Sequence, residues 1–430
     1  MTKKSIKTEY LIIGNSAGGI GAVEAIRETD RKKSITIVSD EPYPAYSRPL
    51  ISEYLAGERT VDQMLFRPAD FYDRNNIDLI QGKKVKSLDL TGRLVELDSG
   101  EKISWRKLLL ATGGAPIVPK MKGSDKKGVF TFLTLDDAKF IDSYLNDCHR
   151  AVVIGGGLIG VSVTEALTKR GVNVTIVEMK DRVLNTILDE RASAMAGERL
   201  SESGIRVIVN NTVADITGDK AVEGVALDSG EKIPCDLVVI AIGVLPRTEV
   251  VRDTGLKINR GILVDRYMAT NIPDVYACGD VAEAYDFALD TNRLTPIWPN
   301  AYIGGRVAGC NMAGVKKEYP GGTAMNSVNY FGFDVATAGI VNSTDGNYEV
   351  ITVDSNGTYQ KILISDGRIV GMVFVKDIEK SGMIFGLMRD RVDVSTFKQS
   401  LLSHDFGLAC MPRELWQERL GSAPVLVNKN

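Results

Sequence analysis

Gly14, Ser16 and Gly19 in "EYLIIGNSAGGIGAVEAIRE" share a spacing with Gly155, Gly157 and Gly160 in "RAVVIGGGLIGVSVTEALTKRG". That spacing, G-x-G-x-x-G with serine allowed in the middle, suits a diphosphate. The first glycine makes a tight turn, the small middle residue lets main chain approach the phosphates, and the last lets helix pack on strand. The helix that follows turns its N-terminal N–H groups and the positive end of its dipole toward the anion. A carboxylate completes each candidate site. "SITIVSD" ends at Ser39 and Asp40, with Glu41 next, near where a ribose would lie. "NVTIVE" ends at Glu178, 23 residues after Gly155 (178 − 155). An acidic residue there accepts both ribose hydroxyls and repels a 2′-phosphate, which favours NAD over NADP, although Lys180 and Arg182 lie nearby.

Both turns need a strand before and a helix after, and the sequence supplies them. Tyr10 to Ile13 and "RAVVI" are apolar runs, each followed by a helical pattern. A longer repeat points the same way. "LDSGEKI" stands at 97–103 and again at 227–233, and the same offset, within one residue, lays "LLLATGG" (108–114) on "LVVIAIG" (237–243). In each copy a polar hairpin leads into an apolar strand that ends at glycine. One nucleotide-binding unit therefore reads as duplicated.

A chain of 430 residues is long enough for two or three domains. It is 44% hydrophobic and 25% charged with a net charge of -3, ordinary for a globular protein and with no basic run to suit nucleic acid. No apolar run approaches the roughly 18 residues of a membrane span. "MTKKSIKTEY" leads straight into a strand without an apolar leader, so a cytoplasmic address is expected. The five cysteines, at 148, 235, 278, 310 and 410, form no C-x-x-C pair, so no metal site and no redox dithiol is expected.

These motifs resemble the two-dinucleotide-binding flavoproteins of the pyridine nucleotide–disulfide oxidoreductase fold, over roughly residues 8 to 315. The resemblance also rests on "LLLATGGAP" (108–116), "VVIAIGVLP" (238–246) and "TNIPDVYACGDVAE" (270–283). It implies an α/β fold of two Rossmann-like, three-layer ββα domains. The FAD domain would be 1–115 with 245–318, the inserted NAD domain 116–244, and an α+β C-terminal domain 319–430, with strands at Val328–Phe331, Tyr359–Ile364 and "IVGMVFV". That last domain would form an interface or cover the flavin. FAD would be held by Gly14, Ser16, Ala17, Gly19, Asp40, Arg48, Ala111, Thr112, Gly113, Gly279 and Asp280, the last at the head of a helix. NAD(H) would be held by Gly155, Gly157, Leu158, Ile159, Gly160, Glu178, Ile242 and Gly243. "YSRPLISEYLAG" (46–57) and "WPNAYIGGRVAGCNMAG" (298–314) look most like NADH-dependent rubredoxin reductases and the flavin part of assimilatory nitrite reductases, with Arg48, Pro49 and Trp298 lining the flavin.

Relatives that work through sulfur place a cysteine where this chain has Arg48, and no cysteine precedes Cys148. His404 lacks the acidic pattern of the family's C-terminal acid–base histidine. Oxygenase-coupled reductases pair a lysine and a glutamate beside the flavin; the matching positions here are Glu53 and Ser162. No catalytic side chain beyond the flavin is therefore expected. Electrons would enter from NADH and leave singly to a small ferredoxin-like iron–sulfur protein or rubredoxin. Three other readings stay open: an NADH oxidase that forms peroxide, a slow-turnover flavoprotein sensor, and a subunit of a larger complex. A homodimer is also compatible.

Overall fold

Apolar β-branched runs bounded by glycine turns build the first sheet. Its strands in chain order are β1 (Ser5–Ile13), β2 (Ile35–Val38), β3 (Ile77–Ile80), β4 (Val85–Asp89), β5 (Leu94–Leu97) and β6 (Lys102–Leu110). They lie in the order β3-β2-β1-β6-β5-β4. Pairing is parallel from β3 through β6 and antiparallel from β6 through β4. Tyr10 to Ile13 and Leu108 to Leu110 are buried, as strands covered on both faces must be. The strand Val275–Ala277 joins the same sheet, pairing in parallel with Leu108 to Leu110.

A second parallel sheet comes entirely from chain lying between β6 and Val275. It orders Arg206–Ile208, Asn173–Val177, Arg150–Ile154, Leu237–Ile240 and Val129–Thr131. An antiparallel sheet of Val213–Thr217, Gly224–Leu227 and Lys232–Pro234 packs on it, with Val213, Ile216, Val225 and Ile233 sharing a core with Val152, Ile154, Val177 and Val238. The expected α/β class is found, and the two "LDSGEKI" hairpins close with matching bonds. In the first hairpin Leu97 N–H donates to Glu101 O at 2.9 Å, Gly100 N–H to Leu97 O at 2.9 Å and Asp98 N–H to Lys84 O at 2.9 Å. In the second, Leu227 donates to Glu231 at 2.8 Å, Gly230 to Leu227 at 2.9 Å and Asp228 to Thr212 at 3.0 Å.

This computed structural model describes residues 5–342 and 348–415. The chain divides into two compact units. One runs through residue 324 except for 187–192; the other joins 187–192 to the chain from 325 onward. The second unit is a five-stranded antiparallel sheet ordered Met325–Tyr330, Phe333–Gly339, Arg368–Val375, Thr358–Ser365 and Glu349–Ser355, with a helix at Ser381–Arg389. The expected strand at Val328–Phe331 stops one residue early. Phe331 (φ 52°) and Gly332 (φ 74°) are both left-handed, as a two-residue hairpin turn requires, and Tyr330 pairs with Phe333. Within this unit Asp189 Oδ2 accepts from Tyr359 Oη at 2.6 Å and Lys361 Nζ at 2.8 Å, all three buried. Among the described residues no helix is long and apolar enough to cross a membrane.

Candidate functional site

Both glycine turns close in the same way. Gly14 (φ 119°) donates its N–H to Val38 O at 2.9 Å, and Gly155 (φ 107°) donates to Val177 O at 2.8 Å. A Cβ on Gly14 would stand 2.1 Å from Ala111 O; on Gly155 it would stand 2.5 Å from Ala241 O. One turn later, a Cβ on Gly19 or Gly160 would lie 2.1 or 1.9 Å from the carbonyl oxygen of Gly14 or Gly155. Only glycine lets strand, turn and helix meet at these distances.

Ser16 is the N-cap of α1 (Ala17–Thr29), and Gly157 is the N-cap of the helix Leu158–Lys169, whose first turn carries Leu158 and Ile159. The Ser16 side chain makes no bond to its helix, Gly157 has no side chain to offer, and neither first turn contains an acidic residue. The helix Leu135–Tyr144 is the contrast. Thr134 and Asp137 close a capping box there, and Asp136 adds a further negative charge. The two glycine helices thus present the positive ends of their dipoles without a counter-charge of their own, which is the donor set a diphosphate needs.

The acidic strand ends have specific partners. Asp40 is exposed and accepts from Arg247 Nη1 at 2.7 Å. Arg247 is held in turn by its N–H to Gly113 O at 3.0 Å and by Thr112 Oγ1 donating to its carbonyl at 3.0 Å. Three expected FAD-site residues, Asp40, Thr112 and Gly113, are therefore gathered by an arginine that sequence reasoning missed. Buried Glu178 accepts the Gly156 N–H on Oε2 at 2.6 Å and the Lys180 N–H on Oε1 at 2.8 Å. Ile242 is 40% exposed next to Gly243 (φ 121°), whose carbonyl accepts from Ile117 N–H at 3.0 Å.

Arg48 opens a 3₁₀ turn, Arg48–Leu50, with Pro49 exposed behind it. Its Nη2 donates to Glu41 Oε1 at 2.5 Å and its Nη1 to Leu133 O at 3.0 Å. Glu41, expected beside Asp40 at a ribose, spends its carboxylate here and also accepts from Tyr46 Oη at 2.6 Å. Asp280 faces Arg48 electrostatically; burial raises its carboxyl pKa while the guanidinium opposes that rise. It does not head a helix. Gly279 (φ 75°) and Asp280 occupy a 3₁₀ turn, Gly279–Val281, that runs into the strand Ala282–Asp286. Trp298 begins the helix Trp298–Met312 and meets Phe66 edge-on at 5.1 Å. Glu53 pairs with Arg59, and Glu165 with Lys169 at 3.6 Å.

Thiol chemistry has no support from the geometry. Cys148, Cys235, Cys278 and Cys310 are buried and all five cysteines are unpaired. Burial pushes Cys148 up to about 11 and Cys235 and Cys278 up to about 12. His404 is exposed, and its carbonyl, not its ring, receives the Lys380 ammonium.

Residues 8–305 match the family model for pyridine nucleotide-disulphide oxidoreductases, and residues 325–392 match the rubredoxin NAD+ reductase C-terminal domain. The chain is 30% identical to nitrite reductase [NAD(P)H] of Bacillus subtilis over 92% of its own length, spanning about half (49%) of that relative. It is also 30% identical to the NADH-dependent phenylglyoxylate dehydrogenase subunit epsilon of Aromatoleum evansii, covering 92% of this chain and 95% of the relative. Among solved structures, the ferredoxin reductase for the CYP199A2 system of Rhodopseudomonas palustris superposes with a TM-score of 0.81 at 27% identity, covering 88% of this chain and 93% of that one. With its two glycine cradles and this match over more than half its length, the chain belongs to the pyridine nucleotide-disulphide oxidoreductase family.

Proposed function

We propose that this chain is an FAD-dependent NADH:acceptor oxidoreductase that exchanges electrons with a small ferredoxin-like iron–sulfur protein or rubredoxin. The observation that carries the reading is the pair of equivalent glycine-turn helices, neither with an acidic residue in its first turn, in a chain whose one cysteine outside the core, Cys410, lies far from both in sequence. In this reading Gly14, Ser16, Ala17 and Gly19 receive the FAD diphosphate, Asp40 its ribose, and Arg48, Ala111 to Gly113, Gly279 and Asp280 its remaining polar edge. Gly155, Gly157 to Gly160 and Glu178 receive NAD(H), with Ile242 and Gly243 beside it. The FAD-binding segments are 1–115 and 245–318, the NAD-binding segment is 116–244, and the third domain is 319–430; of these, 1–4, 343–347 and 416–430 lie outside the described residues.

Bound FAD supplies two-electron exchange with a nicotinamide and one-electron exchange with a metal centre. The residues named here do the rest. The helix N-termini neutralise phosphate charge, Glu178 selects a ribose free of 2′-phosphate, and Trp298, packed edge-on against Phe66, offers the flavin an apolar surface. A cytoplasmic location accords with five unpaired thiols. A role within a larger assembly is compatible with the subunit and half-length relatives. The test is a screen of carriers for anaerobic reduction by NADH and for the reverse flux. Carrier reduction that outpaces NADH oxidation under air supports the proposal; peroxide formation outpacing every carrier sinks it.

A further inference from the structure

Arg48 is not a lone cation. Glu41 holds it through Oε1 at 2.5 Å, and the second carboxylate oxygen accepts from Tyr46 Oη at 2.6 Å. The Tyr46 hydroxyl itself accepts the Leu135 N–H at 2.9 Å. The other side of the guanidinium donates to Leu133 O at 3.0 Å, and the Leu133 N–H is tied to Asp137 Oδ2 at 2.8 Å. Arg48 also lies over the Tyr46 ring, 5.4 Å from its centroid. Two main-chain anchors and a buried phenol thus fix one carboxylate–guanidinium pair. The side chains of Glu41 and Arg48 are 18% and 28% exposed, so water screens their charges only in part.

We infer that Glu41 sets the charge of the flavin cradle: it positions Arg48 and cancels its charge, so the cofactor faces a neutral pair and keeps a low midpoint potential. This rests on the proposal that Arg48 borders FAD. A free cation in the cradle would favour the reduced, more negative form of the cofactor and hold electrons back from a carrier. With Glu41 in place, Arg48 keeps further N–H groups for orienting a ligand while contributing little net field. Glu41 is therefore a positioning residue that acts through Arg48.

The test is the midpoint potential of bound FAD in the full chain, measured spectroelectrochemically for wild type, Glu41→Gln, Glu41→Asp, Arg48→Met and the double variant Glu41→Gln/Arg48→Met. Removing the carboxylate charge leaves Arg48 facing only Asp280, whose carboxyl burial pushes toward its neutral form. Glu41→Gln is therefore expected to shift the equilibrium with NADH toward reduced cofactor about tenfold, or about 30 mV positive for a two-electron couple. Arg48→Met should shift it the other way, the double variant should return to within about threefold of wild type, and Glu41→Asp, which keeps the charge, should do the same. An unchanged or more negative potential in Glu41→Gln overturns the inference, as does a double variant whose shift is the sum of two same-sign losses. Should Glu41→Gln fail to retain FAD, retention by Glu41→Asp at the wild-type potential supports a need for charge. Loss of FAD from both assigns Glu41 to packing and overturns the proposal. A wild-type chain that takes up no FAD defeats the underlying reading instead, before any variant is made.

Discussion

Glu178 and Gly156 are joined by a 2.6 Å hydrogen bond from main-chain N–H to carboxylate, so the residue that ends one strand also pins the glycine turn after its neighbour. A bond to a charged acceptor contributes about 1.5–3 kcal/mol. Glu178→Ala is expected to raise the KM for NADH about tenfold or more and to narrow the preference for NADH over NADPH by a similar factor. Steady-state kinetics with both nucleotides check this, and an unchanged preference assigns Glu178 to the turn alone.

Gly14 and Gly155 give separable phenotypes. Alanine at either meets a carbonyl oxygen at 2.1 or 2.5 Å in a left-handed conformation. Gly14→Ala is expected to emerge from purification with little or no FAD. Gly155→Ala is expected to keep FAD but to be reduced at least about tenfold more slowly at subsaturating NADH, the cost of moving each backbone being a few kcal/mol. Visible absorbance against protein absorbance, and anaerobic reduction rates, distinguish the two.

Thiol blockade is expected to be harmless. Cys410 is the one cysteine with partial exposure, and burial holds Cys278 up at about 12, where little thiolate exists at neutral pH. Iodoacetamide should label Cys410 first and leave NADH-driven turnover within about twofold of the untreated protein, as read by peptide mapping beside the activity assay. Loss of turnover tracking modification of any buried cysteine contradicts a cysteine-free route.

Asp30 predicts a pH dependence. Burial works to raise its carboxyl, but the Lys33 and Lys32 N–H groups, the Tyr10 hydroxyl and the Lys33 ammonium overcome it and hold the group at about 2, below its ordinary 3.8. A depressed carboxyl stabilises the fold above its unfolded value, and that stabilisation fades as pH falls from about 4 toward 2. Asp30→Asn should lower stability at neutral pH and flatten the acid limb of a urea-denaturation series in that window. An unaltered slope contradicts the assignment.

Local backbone requirements were legible in the sequence, and contacts set by chain path were not. Gly14, Gly155 and the repeated "LDSGEKI" turn obey rules that span a few residues, so their geometry could be read from spacing. Arg48 was singled out by its motif, but its pairing with Glu41 depends on how residues 41–48 fold back against Leu133, and nothing local encodes that. Arg247 reaches Asp40 across 207 residues of chain. Asp280 was expected at the head of a helix from the family resemblance, not from any signal in the residues around it. The strand Ala282–Asp286 wins by pairing with Ile262–Leu263 and Thr291–Leu294. Tyr359 and Lys361 share Asp189 across 170 and 172 residues, a contact no window of sequence reports.

The central claim is that electrons pass from NADH through bound FAD to a one-electron carrier without a protein thiol. Its most direct measurement is sequential anaerobic mixing, in which NADH is added to the FAD-loaded chain and oxidised rubredoxin or ferredoxin follows. Fast loss of flavin absorbance and an equally fast return with stoichiometric carrier reduction, unchanged after alkylation, is the predicted result. A chain that binds no flavin, or one whose flavin is reduced by NADH but reoxidised by no carrier faster than by oxygen, contradicts it.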